Sequence, residues 1–270
     1  MPKEYENSPE YLAKKRYYSQ FLTVYGKKTI LDILTDSPDV EFAKILIAEK
    51  VKGDLIDQIV AIAKQRKITI EFTTPERISR ISKNKNQDQG IVADIRTPSY
   101  ASLADFLAQA KHGFALIALD GVTTVENVGM IIRSVAASGV DGLLIPKKGC
   151  PNINQPLVIK ASAGTIFKTI IINCEELSDA LRELKESGVA ICSLAAGGQV
   201  DLFSHQPTRS TVYVLGNEAT GISPQTAQMT DTIISIPMAN RVESLNVAAA
   251  ATLVAYQAGR AHKSMGLNTR

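Results

Sequence analysis

The chain has 270 residues, 45% of them hydrophobic and 21% charged, with a net charge of +3, a balance that suits one large or two ordinary globular domains. No apolar run approaches the roughly 18 residues of a membrane span, and Glu4, Glu6 and Glu10 stand among the first lysines, unlike a signal or transit peptide, so a cytoplasmic protein with no membrane partner is expected. Cys150, Cys174 and Cys192 are odd in number and widely spaced, and His112, His205 and His262 are scattered, which argues against a metal site or a Ser-His pair and leaves the thiols as buried, reduced side chains.

Ser8-Pro9-Glu10 reads as a helix start, with serine as cap and proline in the first turn, running to about Leu22. Its tyrosines and basic residues make it either a packing arm or an RNA-contacting one. After Gly26 the spacing predicts a short helix over 27–34, a buried strand over 42–48, an amphipathic helix over 55–65, a strand over 68–72, a helix over 75–82 and a third strand over 90–95. That alternation is a compact α/β domain, and residues 1–97 carry 17 Lys and Arg against 14 Asp and Glu, while 98–270 carry 13 of each. The surplus is clustered at Lys14-Lys15-Arg16, Lys27-Lys28, Lys64 with Arg66-Lys67, and Arg77, Arg80, Lys83 and Lys85. Such clusters suit a phosphate backbone or solvated helix faces.

Arg96 to Tyr100 reads as a linker, so the division expected is 1–19 as a helical extension, 20–97 as a first domain and 98–270 as a second. In the second, strands over 114–119, 143–145, 170–172, 189–194, 212–215 and 233–236 alternate with helices over 102–109, 128–138, 153–163, 175–187, a turn after Pro224 and a terminal helix. Short, continuously apolar strands between helices predict a largely parallel sheet covered on both faces, with ligands at the carboxyl ends of the strands. No G-x-G-x-x-G or P-loop opens any of these helices, which excludes the common nucleotide-binding readings.

Polar loops follow three of these strands: Leu119-Asp-Gly-Val-Thr-Thr-Val-Glu-Asn-Val-Gly-Met-Ile-Ile-Arg133, Val214-Leu-Gly-Asn-Glu-Ala-Thr-Gly-Ile-Ser223, and Ser235-Ile-Pro-Met-Ala-Asn-Arg-Val-Glu-Ser-Leu-Asn-Val247, where Pro237 stops the strand and Ser244 or Asn246 can cap the next helix. Together, over roughly 114–258, they resemble the three motifs of the SpoU (TrmH-type) RNA ribose methyltransferases of the SPOUT superfamily. Val24 to Leu34 and Gln87 to Asp94 resemble, more loosely, the L30e-like domain that often precedes that catalytic domain and grips RNA.

The resemblance implies an α/β fold with a deep trefoil knot, S-adenosyl-L-methionine as cofactor, and transfer of its methyl group to a ribose 2′-hydroxyl. Large-subunit rRNA is the favoured substrate, with a tRNA methyltransferase or an antibiotic-resistance rRNA methyltransferase as rivals within the class and a catalytically silent RNA-binding protein as the rival outside it. It carries cofactor contacts onto Leu215, Gly216, Ile236, Met238 and Leu245, and the pocket of the reacting hydroxyl onto Asn127, Arg133, Glu218, Ser244 and Asn246. Arg133 is read as a phosphate clamp in preference to a base, because guanidinium is a rigid fork of donors with a pKa above about 12. Lys160 to Thr165 resembles a further family segment in which Ser162 supports the site. The chain departs from the family at Val125-Glu126, where Pro-His is frequent, at Val135 for alanine and at Asn240 for glycine; asparagine tolerates the left-handed backbone such a loop requires. A homodimer is implied as well, with the terminal helix on its partner, the small residues Ala248 to Ala251 permitting close approach, and each site borrowing residues across the interface.

Overall fold

The structure, a computed structural model, describes residues 20–111 and 113–264; the helix expected from Ser8, the Lys14-Lys15-Arg16 cluster and His112 lie outside the described residues. The described residues divide into two compact units, the first comprising 20–99 together with Asn154–Phe167, the second those within Tyr100–Ile153 and 168–264. Asn154–Phe167, expected within the second domain, thus clusters with the first.

The first unit holds β1 (Phe21–Tyr25), α1 (Lys27–Asp36), β2 (Phe42–Ala48), α2 (Asp54–Gln65), β3 (Ile70–Thr73), α3 (Pro75–Ser82) and β4 (Ile91–Arg96). Its sheet runs β1-β4-β2-β3, with β4 antiparallel to β1 and β2, and β3 parallel to β2. The helix expected to reach Leu22 is therefore corrected: Phe21-Leu-Thr-Val-Tyr25 is an edge strand, a β-branched and aromatic run stopped by Gly26 at φ 98°. Alternation sends Leu46, Ala48 and Val92 to one face, where they meet Tyr25 and Ile78, and the fully buried Ile45, Ile47, Ile91 and Ile95 to the other. The short helix α6 (Pro156–Ala161) packs beside β1 in this unit.

The second unit is built from α4 (Leu103–Gln109), β5 (Ala115–Asp120), α5 (Val125–Ser138), β6 (Gly142–Pro146), β7 (Ile171–Cys174), α7 (Leu177–Glu186), β8 (Ala190–Leu194), β9 (Val200–Asp201), β10 (Thr211–Gly216), α8 (Pro224–Met229), β11 (Thr232–Ser235) and α9 (Val247–Ser264). The sheet order is β7-β6-β5-β10-β8-β11-β9, and every pairing in it is parallel. Leu116, Ala118, Leu144, Ile172, Ile191, Val212 and Val214 form one core with Leu103 of α4 and Leu177, Leu181 and Leu184 of α7. Residues of opposite parity, among them Ile117, Leu119, Leu143 and Leu215, are buried toward the other face, the side of α5 and α9.

Helices α5 and α9 run parallel, joined by successive contacts: Asn127 with Asn246 at 3.1 Å, the hydroxyls of Ser134 and Thr252 at 2.7 Å, and Gly259 against the Ser138 carbonyl. A Cβ on Gly259 would lie 2.4 Å from that carbonyl oxygen, so the crossing admits only glycine. Ala248, Ala250 and Ala251, most of the small-residue run expected to face a partner, are already buried within their own chain. Gly259→Val should force the helices apart and cost on the order of 1–3 kcal/mol, read as a lowered denaturation midpoint.

At the amino-terminal end of the sheet, His262 is fully buried, with Nδ1 2.9 Å from the Gly113 carbonyl and its ring edge-on to Tyr213. Burial pulls its pKa down, opposed by the Gly113 carbonyl and by Asp141, and His205 on the other side of Tyr213 is depressed in the same way. The folded state therefore binds fewer protons than the unfolded chain, so His262 costs nothing above its unfolded value near 6.5 and destabilises progressively as pH falls below it. The thermal midpoint should drop between about pH 7 and pH 5, and His262→Phe should flatten that drop.

Candidate functional site

The carboxyl ends of the three neighbouring strands β10, β8 and β11 open into a cavity of about 510 Å³, a size suited to a small-molecule ligand. Its walls are the strand ends Leu194 to Gly197, Leu215 to Glu218 and Ser235 to Met238, closed by Val242 to Leu245 and the start of α9. Leu215, Gly216, Ile236, Met238 and Leu245 all line it, as do Glu218 and Ser244.

The β10 loop has little freedom. Asn217 and Gly221 exchange backbone hydrogen bonds at 3.0 and 2.9 Å, and Asn217 Oδ1 accepts from the Ala219 N–H while its Nδ2 donates to the Gly121 carbonyl at 2.8 Å. The Asp120 carboxylate at the end of β5 accepts the Ser223 N–H at 2.7 Å. A Cβ on Gly216 would come within 2.3 Å of Gly221, so the glycine expected to let a ligand approach is required first by the chain's own loop.

Asn127 and Asn246 stand at the margin of the cavity and join Glu218 in one hydrogen-bonded chain. Asn127 Nδ2 donates to Glu218 Oε1, Asn246 Nδ2 donates to Asn127 Oδ1 at 3.1 Å, and Asn246 Oδ1 accepts the Ala248 N–H at 2.8 Å. A carboxylate that only accepts at one end and an N–H that only donates at the other fix both amide orientations between them. Asn246, rather than Ser244, thereby caps α9.

Between β11 and α9 the chain reverses in a tight turn, the Val242 N–H donating to the Ala239 carbonyl at 3.1 Å with Asn240 at φ 54° and Arg241 at φ 59°. Asn240 thus adopts the left-handed backbone expected of it, and Arg241 does so with a side chain that disfavours it. Met238, Val242 and Leu245 are exposed along this segment.

Arg133 is not brought into the cavity. It lies on the exposed side of α5, about 9 Å along the axis from Asn127 by helical rise, and among the described residues it has no hydrogen-bonded or ion-paired partner. Ser162 is fully buried in the first unit with its hydroxyl on the Ile159 carbonyl, so it does not line the cavity either. Cys192 is buried, but Cys150 and Cys174 are only partly so; burial raises the thiols to about 11 for Cys150 and about 12 for the other two, keeping them protonated. No cluster among the described residues could hold a metal ion, and no described helix is long and apolar enough to cross a membrane.

Sequence reading missed Leu194 to Gly197. The signal was present, since Ser193-Leu-Ala-Ala-Gly-Gly198 is another apolar strand running into a glycine loop, and a Cβ on Gly198 would lie 2.7 Å from the Ile234 carbonyl carbon.

Comparison with known proteins bears on this site. Residues 114–256 match the SpoU rRNA Methylase family, and residues 23–101 match an RNA 2′-O ribose methyltransferase substrate-binding domain. A Staphylococcus aureus chain assigned to the TrmH family of tRNA/rRNA methyltransferases is 33% identical over 247 residues, covering 90% of this chain and 97% of that one. The SpoU methyltransferase AviRb of Streptomyces viridochromogenes, solved in complex with AdoMet, shares the fold at a TM-score of 0.74 and 22% identity over 93% of this chain and 94% of its own. An AdoMet-bound rRNA methyltransferase of Sinorhizobium meliloti does so at 0.73 and 24%, over 92% and 90%. With the family domain spanning more than half of its length and a relative of one-third identity matching nearly all of it, the chain belongs to the SpoU family of RNA methyltransferases.

Proposed function

We propose that the protein transfers a methyl group from S-adenosyl-L-methionine to the 2′-hydroxyl of one ribose in RNA, with large-subunit rRNA the favoured substrate and tRNA the alternative. The observation that carries this reading is the convergence of two motif loops on one cavity, with Asn127 of the remaining motif hydrogen-bonded in series with Glu218 and Asn246 at its margin. The cavity suits the cofactor in size and in lining: Leu215, Ile236 and Leu245 offer apolar faces to a flat ring, and strand-end backbone offers donors and acceptors to its edge. We infer, too, that the chain after β11 threads the knot the family implies.

The cofactor supplies a methyl group already activated on a sulfonium. The chain's residues then have to hold the ribose oxygen in line with it and exclude water, and alignment of this kind can supply on the order of 7–11 kcal/mol. Glu218, Asn127 and Asn246 form a fixed polar rim for the sugar, and Ser244 is placed to hydrogen-bond it. Proton removal by a dedicated base adds a typical hundred- to ten-thousandfold, so Arg133 serves as a phosphate clamp without having to be that base.

Arg133 outside the cavity of its own chain fits a homodimer in which it reaches the partner's site. Phe203, Leu253 and Tyr256 line an open groove of about 450 Å³ along α9, and Phe203 and Tyr256, at 48% and 50% exposure, are large apolar surfaces for a monomer to leave in water. Tyr256→Arg should convert a dimer to a monomer in light scattering, and a wild-type chain that runs as a monomer would end the dimer reading.

The reaction is tested with methyl-labelled cofactor and separated RNA fractions. Label should enter rRNA and remain in alkali-resistant dinucleotides, because a methylated 2′-oxygen cannot assist backbone cleavage. Label recovered in mononucleotides places the methyl on a base and overturns the 2′-O reading, and label in tRNA alone overturns the rRNA preference. Arg133→Ala should lose nearly all transfer with cofactor affinity little changed by calorimetry. Mixed with inactive Leu245→Glu, it should regain up to about a quarter of wild-type activity if the arginine acts across the interface, since half of randomly assorted dimers would then hold one complete site.

A further inference from the structure

The basic side chains of the first unit separate into two groups once their partners are known. Arg66 holds the carbonyls of Leu34, Pro38 and Val40 at 3.1, 2.7 and 2.8 Å and lies over the Phe42 ring. Arg96 is paired with Glu41, Lys28 with Asp32, and Lys44 and Arg77 both face Glu71. Arg66 is thus committed to the fold, and the others each have a carboxylate beside them. Arg80, Lys83 and Lys85, like Lys50 and Lys52 elsewhere in the unit, are exposed and have no hydrogen-bonded or ion-paired side-chain partner among the described residues.

Arg77 and Arg80 stand three residues apart on one side of α3, and Lys83 at its left-handed C-cap and Lys85 in the turn beyond continue the run of cations in sequence. Asn84, Asn86, Gln87 and Gln89 interleave amides with these charges. The one carboxylate of the stretch, Asp88, is 4% exposed and turned inward, accepting from Ser82 Oγ at 2.8 Å and the Gly90 N–H at 2.9 Å. Glu76, at the far end of α3, is engaged by its own backbone N–H and the Thr74 hydroxyl, and feels Lys85 and Lys50. Residues 80–87 therefore show solvent cations and amides but no anion.

The backbone of that turn is held in place. Ser82 Oγ accepts the Asn84 N–H, Asn84 Nδ2 donates to the Tyr25 hydroxyl, and the N–H groups of Gln87 and Asp88 both reach the Asn84 carbonyl. Lys160 ties it to the segment that precedes β7 in the chain, donating to the Gln87 carbonyl at 3.1 Å with its ammonium 5.3 Å from the Tyr25 ring centroid. A polyanion meeting a turn already ordered loses less conformational entropy than one that must order a loop. Lys64 and Lys67 are also unpaired among the described residues, but they stand at or just beyond the end of α2, where cations complement the helix dipole.

We propose that the Arg80–Gln87 turn is the phosphate-gripping edge of the first unit, its cations on the RNA backbone and its amides within reach of 2′-hydroxyls and base edges. This rests on RNA as substrate and says which surface holds it. The test is binding of labelled rRNA fragments to the full chain across a salt series, comparing wild type with Lys83→Ala/Lys85→Ala and Lys64→Ala/Lys67→Ala. The first double variant should lose about tenfold or more near 0.1 M salt, its log-log salt slope becoming shallower by roughly 1.4 for two single-strand phosphate contacts, with cofactor affinity unchanged. The second should stay within about twofold. An unchanged first variant, or equal losses in both, overturns the assignment while leaving the RNA reading intact; a wild-type chain that binds no RNA overturns both.

Discussion

The site depends on the hydrogen-bonded series that runs from the Glu218 carboxylate through two side-chain amides to the first N–H groups of α9. It joins a loop after β10, the first turn of α5 and the cap of α9, which lie up to 119 residues apart in the chain. Each link is fixed by the next, so loss of one amide would leave a half-buried partner unsatisfied, at a cost of about 1–3 kcal/mol. The same tie begins the parallel course of α5 and α9, which the Ser134–Thr252 and Ser138–Gly259 contacts continue, so both amino-terminal ends and both helix dipoles are directed to one rim.

Much of this architecture was legible in the sequence because parallel sheets leave a simple trace. Ala115 to Leu119 and Val212 to Leu215 are apolar at every position, as strands covered on both faces must be, and each motif begins where such a run ends. The edge strand Phe21–Tyr25 was not legible, since it is short and its tyrosine-rich neighbourhood continued a helical reading. Register and strand order were out of reach as well: nothing local says that β10 pairs with both β5 and β8, which is what sets the loop after β8 against the cavity.

Side-chain commitments were the least legible feature. A run such as Lys64-Gln-Arg-Lys67 looks like a cationic patch, yet its arginine is turned inward onto three carbonyls, and Lys160, inside a segment matched to the catalytic domain, holds a loop of the first unit. Charge counted along the chain overstates what solvent sees, because a guanidinium presents five donors and readily satisfies backbone carbonyls left open where helices end. His205 and His262, scattered in sequence, flank the same tyrosine for an equally non-local reason: α9 carries His262 back beneath β10.

The two sides of the cavity are held by different physics. The polar margin is built from oriented hydrogen bonds, which specify position sharply and tolerate little displacement. The segment from Met238 to Leu245 presents exposed apolar side chains on a turn with two consecutive left-handed residues, Arg241 among them, and apolar contact is non-directional. A left-handed arginine costs on the order of 1 kcal/mol, which the turn's closing hydrogen bond and its apolar contacts offset. On the proposed reading, the groups that would meet a reacting atom at a set angle sit where geometry is fixed by partners, and those that would only cover a flat apolar ring sit on the turn.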